Sequence, residues 1–547
     1  MQEPARSPQL TPERRLRARS RPGFHDRRAW TRYFSSFPVT ITVGSGENER
    51  VIRAHSLDIG DGGIRLIAPD LPEDETRIRM RFRIPAGVMP EEFVQGILDI
   101  RGEVRKWPVS GTASVGVQFE EPLHDRLGRR RWPALRWGAA AVLVLAVLFT
   151  LAIKYENIYA FWFDVPVFFY SLLVGGYLLT RFLFAAFYPR IEAVPPEQLP
   201  KLSVVVPARN EEAAIERTVR HLMEGDYPAD RLQVVVVDDG STDGTAAALA
   251  RARARYPETV VLHLSEPQGK RHAMAAGVEV ATGDIIAFVD SDSFVAPDAL
   301  RMLVSRMLRR GVPAVTGHCE ADNEWTNALT RMQAVRYFVS FRVMKAAESL
   351  FGSVTCLSGP LAAYRREVLE EVLPEWLNQK FFGQYATFGD DRGLTNALLR
   401  RGHDVEYEAQ ALCTTLVPEN HRTFLRQQLR WKRSWFRESL RATAFMWRRP
   451  PFMALSFYFG FLLPILAPMI VLRALVYVPL AQRQTPLTYL AGVAVMSALI
   501  SSVYLLLKRS RLWIYGVPFC FYYMFILVWQ LPWAMVTCAR QSWDTRG

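Results

Sequence analysis

Five long apolar blocks decide most of what this chain can become: they run from Trp137 to Ile153, Ile158 to Tyr188, Phe452 to Leu480, Leu487 to Leu507 and Trp513 to Cys538. Several are long enough to cross a bilayer, so an integral membrane protein is expected, with the polar stretches between the blocks folding separately. At 547 residues the chain is too long for one core, and two or three domains are expected. No short apolar region with a small-residue cleavage site opens the chain. The N-terminus is therefore not read as a secretory signal and is expected to stay in the cytoplasm.

Lys and Arg outnumber Asp and Glu by 67 to 54, a formal charge of +13. Nucleic acid is one reading of that excess. However, Arg126, Arg129, Arg130, Arg131 and Arg136 crowd the first apolar block, and Lys508, Arg509 and Arg511 follow the fourth. Positive-inside placement beside membrane spans accounts for these clusters better, and no nucleic-acid polymer is expected as a partner. Cys319, Cys356, Cys413, Cys520 and Cys538 show no CxxC spacing. Free thiols in a reducing compartment are expected, without a zinc site.

Residues 1–35 form a basic, proline-containing arm, and 36–125 read as short alternating strands with Gly-rich turns, which fits a small β-barrel. Arg28-Ala-Trp-Thr-Arg32 precedes Asp58-Ile-Gly60-Asp-Gly-Gly63, and Gly116-Val-Gln-Phe119 lies near the end. Two guanidiniums can clamp phosphates and stack on guanine, and a tight Gly turn lets the backbone approach a ligand. The stretch resembles a PilZ domain, a family that binds cyclic di-GMP through Arg-x-x-x-Arg and Asp/Asn-x-Ser-x-x-Gly. That resemblance implies Arg28, Arg32, Asp58, Gly60 and Gly63 as cyclic di-GMP residues, with Gly60 standing where Ser is usual. The competing reading is a basic juxtamembrane arm on an inert barrel.

Two spans are expected within 132–188, Trp137 to Ile153 and Ile158 to Arg181, which return the chain to the cytoplasm near Pro189. Pro195 and Pro196 mark a linker into a domain over 196–447. There Leu202 to Glu212, Gln233 to Asp243 and Asp284 to Asp290 are apolar strands ending in polar turns, and Thr218 to Met223 reads as helix. Alternation of such strands with helices predicts a doubly wound α/β sheet with ligands at the carboxyl ends of its strands.

The chemistry-bearing residues cluster at those ends. Asp290-Ser-Asp292 offers hard oxygen ligands suited to Mg²⁺ or Mn²⁺ bridging a diphosphate, and it follows Asp238/Asp239 and Gly269-Lys270-Arg271, whose cations suit a phosphate. If Arg426 to Glu438 is a helix, Gln427, Arg430, Trp431 and Ser434 share one face, able to hold an anion beside a flat ring. An acidic pair, Asp390 and Asp391, lies upstream within Phe388 to Asn396. A solvated acidic turn followed by a helix with a core Trp is the plainer reading of the same residues.

Pro207-Ala-Arg-Asn-Glu211, Asp238-Asp-Gly-Ser241, Asp290-Ser-Asp292, Ser358-Gly-Pro-Leu361, Gly389-Asp-Asp-Arg392 and Gln427 to Trp431, in that order, resemble processive family 2 glycosyltransferases of the GT-A fold. The likeness is greatest to hyaluronan synthases and rhizobial chitin-oligosaccharide synthases, and cellulose synthases are more distant. By this resemblance Asp238 and Asp239 face the uridine and Glu211 lies near the base; Asp292 coordinates the metal and Asp290 lies beside it at the donor sugar or ribose. Lys270 and Arg430 hold the diphosphate, Ser358, Gln427 and Trp431 serve the acceptor, Asp391 is the general base, Asp390 a supporting acid, and Arg392 steadies their loop. Trp543, Thr545 and Arg546 resemble a gating loop, with Asp544 in place of its Gly.

The resulting expectation is a multi-domain membrane protein: a PilZ-like β-barrel, a cytosolic α/β GT-A glycosyltransferase domain and an α-helical transmembrane bundle. It would be multi-pass in a bacterial inner membrane and stimulated by cyclic di-GMP, and it would polymerise a UDP-sugar onto a growing polysaccharide, with membrane lipid and export proteins as further partners. Trp325 to Leu350 reads as an amphipathic helix in the cytoplasmic interface, or else as a solvated surface helix. Residues 452–507 supply two more spans. Pro518 and Pro532 break the last block, so 513–547 is read as an interfacial or re-entrant helix plus the gating segment. A non-processive transferase to a lipid acceptor and a non-catalytic cyclic di-GMP receptor are the alternatives. UDP-GlcNAc, UDP-GlcA and UDP-Glc all remain open as donors.

Overall fold

The computed structural model describes residues 33–44, 49–72, 75–84, 96–106, 114–127, 164–381, 383–483 and 485–540, with four isolated positions between 138 and 148. The expected span over 137–153 therefore lies almost wholly outside the described residues.

Among the described residues, seven strands make up the N-terminal unit: β1 (Tyr33–Phe34), β2 (Pro38–Val43), β3 (Arg50–Gly60), β4 (Gly63–Ile67), β5 (Arg77–Arg83), β6 (Ile97–Lys106) and β7 (Ser114–Phe119). Six of them close in the ring β3-β2-β5-β6-β7-β4, because β4 pairs with both β7 and β3. Closure leaves no long exposed edge. Strict alternation drives it: in β5, Ile78, Met80 and Phe82 are buried while the arginines between them face outward. β1 adds to the outside of β3, with Phe34 opposite Asp58.

The second unit is built on eight strands in the order β10-β9-β8-β11-β14-β13-β17-β12. These are β8 (Leu202–Ala208), β9 (Leu232–Asp238), β10 (Val260–His263), β11 (Ile285–Phe288), β12 (Ser293–Val295), β13 (Ala314–Ala321), β14 (Ala362–Arg365) and β17 (Val405–Thr415); β15 (Lys380–Phe381) and β16 (Gln384–Tyr385) form a separate hairpin. β10, β9, β8 and β11 run parallel, and β14 turns the sheet antiparallel. Every residue of β8 and β11 is buried, as continuous Val and Ile runs require in a sheet covered on both faces. Helices α2 (Ile215–Met223), α3 (Thr245–Arg255), α4 (Lys270–Val280), α5 (Ala299–Arg310) and α7 (Arg366–Leu377) pack around it, and a single apolar core joins sheet and helices.

Among the described residues, three helices are long and apolar enough to cross a membrane: α1 (Val165–Ala186), α10 (Pro451–Gln482) and α11, whose spanning part is Tyr489–Lys508. They mark a membrane protein. α1 is described from Val165, with residues 158–163 outside the described residues, and the Asp164 carboxylate caps it and pairs with Arg473 of α10 at 2.8 Å. The last apolar block is two helices, Arg511–Leu527 and Gln530–Val536, bent by 46° at their junction. The expected helix over 325–350 forms as α6 (Ala328–Val339), continued by a π-helical turn, Ser340–Lys345. It does not lie as an open amphipathic face. Val335 and Phe338 pack against Tyr504 and Leu512 of the membrane helices, and Lys345 is itself buried.

α2 supports the loop after β11 and the end of β12 with two buried side chains. Thr218 Oγ1 donates to the Ser291 carbonyl at 2.6 Å, and His221 Nδ1 lies 3.1 Å from the Val295 carbonyl. Burial, only partly offset by that hydrogen bond, depresses His221 to about 4. The unfolded chain thus takes up a proton near the ordinary histidine pKa of about 6.5 while the fold does not. Stability contributed by the neutral ring is complete above about pH 6.5 and is lost as the pH falls toward 4, by up to about 3 kcal/mol. Thermal unfolding of the detergent-solubilised protein between pH 7 and 4 should show this slope reduced in His221→Gln; an unchanged slope would remove His221 from the account.

Candidate active site

The parallel strands bring the sequence motifs to one edge of the sheet. β8, β9 and β11 end together, so Glu211, Asp239 and Asp290 line one end of a cavity of about 2020 Å³. Adjacent acids at the end of β9 diverge. Asp239 accepts from the Gln268 and Gly269 amides at 2.7 and 2.9 Å, which fixes the loop delivering Lys270. Asp238 is not among the cavity-lining residues; it is buried against the Ser241 amide, at 3.1 Å, and the His263 ring, at 3.0 Å.

Lys270 pairs with Asp290 on the cavity wall. Burial works against its charge, but Asp290 and then Asp390 raise the ammonium above its ordinary pKa. Asp292 lies beside them, with Thr415 Oγ1 3.5 Å from its carboxylate, and burial followed by the neighbouring Asp290 charge pushes it up to about 6. The close approach at Asp290 needs glycine opposite: a Cβ on Gly359 would sit 2.9 Å from its carboxylate. Among the described residues no cluster of three His, Cys, Asp or Glu forms a complete metal cage. Two carboxylates facing a cavity suit an ion that takes its remaining ligands from a bound diphosphate and water.

The other wall comes from α8 (Asp390–Arg400) and α9 (His421–Ala442), with Asn420 capping α9 through the Thr423 amide. Gln427, Arg430, Trp431 and Ser434 of α9 all line the cavity, as their helical spacing predicts. Trp431 stands 6.3 Å from the Tyr337 ring, with the Arg336 guanidinium 5.6 Å from its centroid. Burial lowers the Arg430 guanidinium, partly offset by Asp390, Asp290 and Asp391 in turn, and it remains a cation.

Gly389 opens α8 at φ +80°, a conformation that strains any residue with a side chain, and a Cβ there would also crowd Ser434 and Arg437. The two acids that follow it have different partners. Asp391 lines the cavity at the helix N-terminus, its Oδ1 accepting the Arg392 amide at 2.8 Å and its Oδ2 the Cys356 thiol at 3.1 Å. Asp390 also borders the cavity, but it is buried and locked to Arg271 Nε at 2.6 Å. Ser358 also faces the cavity, and its hydroxyl accepts from buried Lys345 at 2.7 Å. Arg392 lines the same wall.

Arg271 departs from the expectation that it faces a phosphate. It is buried, and it donates to the Trp376 carbonyl at 2.8 Å and to Gln379 at 3.0 Å as well as to Asp390. Gln379 in turn donates to Glu438 at 2.8 Å, Asn396 donates to the Glu438 carbonyl at 2.9 Å, and Arg437 pairs with Glu438 at 3.1 Å. This brace ties α8 to α9. None of Gln379, Asn396, Arg437 or Glu438 belongs to a recognised motif, and no spacing in the sequence announces them.

In the barrel, Asp58 is buried and paired with Arg65 at 2.8 Å, and Gly60 and Gly63 face each other across the β3–β4 turn. Arg28, Arg32, Trp543, Thr545 and Arg546 lie outside the described residues.

Comparison with known proteins bears on the same residues. The chain matches the family described as glycosyltransferase like family 2 over 200–434 and a PilZ domain over 26–130. It is 38% identical over 291 residues to an N-acetylglucosaminyltransferase of Rhizobium meliloti (strain 1021), covering 52% of this chain and 68% of that protein. The chain belongs to glycosyltransferase family 2. A hyaluronan synthase of Streptococcus pyogenes is 36% identical over 306 residues, covering 55% of this chain and 72% of the relative. Among solved structures, a mannosyltransferase from Pyrobaculum calidifontis superposes with a TM-score of 0.47 at 24% identity, covering 70% of this chain and 100% of that one. This glycosyltransferase joins a GT-A-like catalytic domain to a PilZ barrel and apolar helices in one chain, and the region matched to the family holds the cavity-lining residues from Pro207 to Ser434.

Proposed function

We propose that this glycosyltransferase is a cyclic di-GMP-stimulated processive synthase that polymerises a UDP-sugar into a β-linked exopolysaccharide and passes it across a bacterial inner membrane, with barrel and catalytic domain cytoplasmic. The observation that carries the reading is the cavity. It runs from Glu211, Asp239 and Asp290 past Asp391 and Trp431 to Tyr170, Ser456 and Gly492 of the apolar helices, so one continuous space connects donor chemistry to the membrane. At about 2020 Å³ it is about twice the upper end of the usual small-ligand range and has room for a nucleotide-sugar and a glycan together.

The residues assign the steps. Glu211 and Asp239 bound the nucleoside end, and Lys270 and Arg430 meet the diphosphate. Asp292, with Asp290, would hold Mg²⁺ or Mn²⁺, which when bound neutralises charge on the departing diphosphate. The terminal sugar of the acceptor stacks on Trp431 with Gln427 and Ser358 alongside, and Asp391 takes the proton from its hydroxyl. As that oxygen bonds the anomeric carbon, the bond to the diphosphate breaks and UDP leaves with the electron pair, inverting the centre. Asp390, held by Arg271, orients the turn and stays out of the proton transfer. The bent pair Arg511–Leu527 and Gln530–Val536 serves as an interfacial or re-entrant element under the spans.

Membranes containing the protein, incubated with each radiolabelled UDP-sugar with and without cyclic di-GMP and Mg²⁺ or Mn²⁺, test the reading. High-molecular-weight product with one donor or donor pair, increased by cyclic di-GMP, is expected. Products of a single addition only would replace processive synthesis with transfer to a lipid acceptor.

A further inference from the structure

Arg65 joins the barrel to the catalytic domain at a point that bears on the donor carboxylates. Its Nε lies 2.8 Å from Asp58 Oδ2, and its Nη2 donates to the main-chain carbonyl of Glu224. Asp58 is fully buried and Arg65 is 7% exposed, so water cannot stand in for either charge. Glu224 is the C-cap residue of α2. A guanidinium there supplies a donor where the helix end has few and complements its negative pole. The same helix holds the Ser291 carbonyl through Thr218, at 2.6 Å, and Ser291 lies between Asp290 and Asp292. At the barrel end, Tyr33 and Phe34, which follow Arg32 in sequence, pair through their backbones with Ile59 and with Asp58, the acid that Arg65 grips.

We propose that Arg65 is a positioning residue through which cyclic di-GMP on the barrel resets the Asp290–Asp292 loop, acting along Asp58, Arg65, α2 and Thr218. The proposal rests on the preceding reading of the barrel as the cyclic di-GMP site and of the loop as the donor site. One guanidinium serves an acceptor in each domain. A ligand that engages the β3–β4 turn changes what Asp58 offers it, and α2, a short helix held at both ends, carries the change as a unit.

Full-length protein in detergent tests this by hydrogen exchange over 215–224 and 290–295, with and without cyclic di-GMP, beside turnover. In the wild type, cyclic di-GMP should change exchange at 290–295 about fivefold or more, within the usual span of coupling between sites. Arg65→Ala and Thr218→Val should lose that response and the stimulation, while calorimetry shows Thr218→Val still binding cyclic di-GMP; Arg65→Lys and Thr218→Ser should recover it in part. Without ligand, Arg65→Ala should already exchange faster at 290–295. An undiminished response in Thr218→Val, or unchanged ligand-free exchange in Arg65→Ala, would overturn the assignment. Failure of the wild type to bind cyclic di-GMP would instead sink the regulatory reading, leaving the ligand-free comparison to judge Arg65.

Discussion

Asp391→Asn is expected to lower UDP release about 10²- to 10⁴-fold, the usual worth of a positioned general base, with thermal unfolding unchanged. The amide keeps its oxygen for the Arg392 amide proton and places its NH₂ where Oδ2 meets the Cys356 thiol, whose sulfur is a weak acceptor, so the side chain stays in place without the capacity to take a proton. Cavity shape and donor binding should therefore survive, and UDP affinity measured by calorimetry should stay within about threefold of wild type. Wild-type turnover in this variant would remove Asp391 from the base role.

Asp390→Ala should fail differently. It strands the buried Arg271 guanidinium, whose Nε lies 2.6 Å from the lost carboxylate, and removing one partner of a buried pair costs about 3–5 kcal/mol. The damage should spread, because Arg271 also reaches the Trp376 carbonyl and Gln379, and Trp376 Nε1 donates to the Asp390 carbonyl at 2.9 Å. A large fall in unfolding temperature is expected, followed by tryptophan fluorescence. The double variant Arg271→Met/Asp390→Leu should regain part of it, since an apolar pair of similar volume leaves no buried charge. If Asp390→Ala unfolds at the wild-type temperature yet is inactive, Asp390 takes part in the chemistry and the division between the two acids is wrong.

What could be read in advance follows the range of the interactions. The α9 face is a matter of 3.6-residue periodicity, so Gln427, Arg430, Trp431 and Ser434 were foreseeable as one surface, and the runs of β8, β9 and β11 announced a parallel sheet whose carboxyl ends would gather acids. β17 was less visible. Val405–Thr415 mixes Glu406 and Glu408 into a buried strand, and those acids are partnered from about 100 residues away in sequence: Arg306 and Arg310 pair with Glu406 at 2.6 and 3.1 Å, and Arg306 lies 3.6 Å from Glu408. The same holds for Arg271 with Asp390 and for Gln379 with Glu438. Asp238 and Asp239 are adjacent and chemically identical, and only the placement of His263 and of the Gln268–Gly269 amides separates the one turned away from the one at the cavity.

The brace through Glu438 sets a condition on how a chain could grow. Because Asn396 and Gln379 clamp α9 to the segment that carries Asp391, the stacking ring and the proton acceptor form one rigid gauge. For a synthase working as proposed, that gauge cannot stretch to follow the product, so after each addition it is the glycan that must slip by one sugar past a stationary ring. The stride is then a property of the sugar, and the energy for it must come from the product's own affinity for the cavity beyond Trp431.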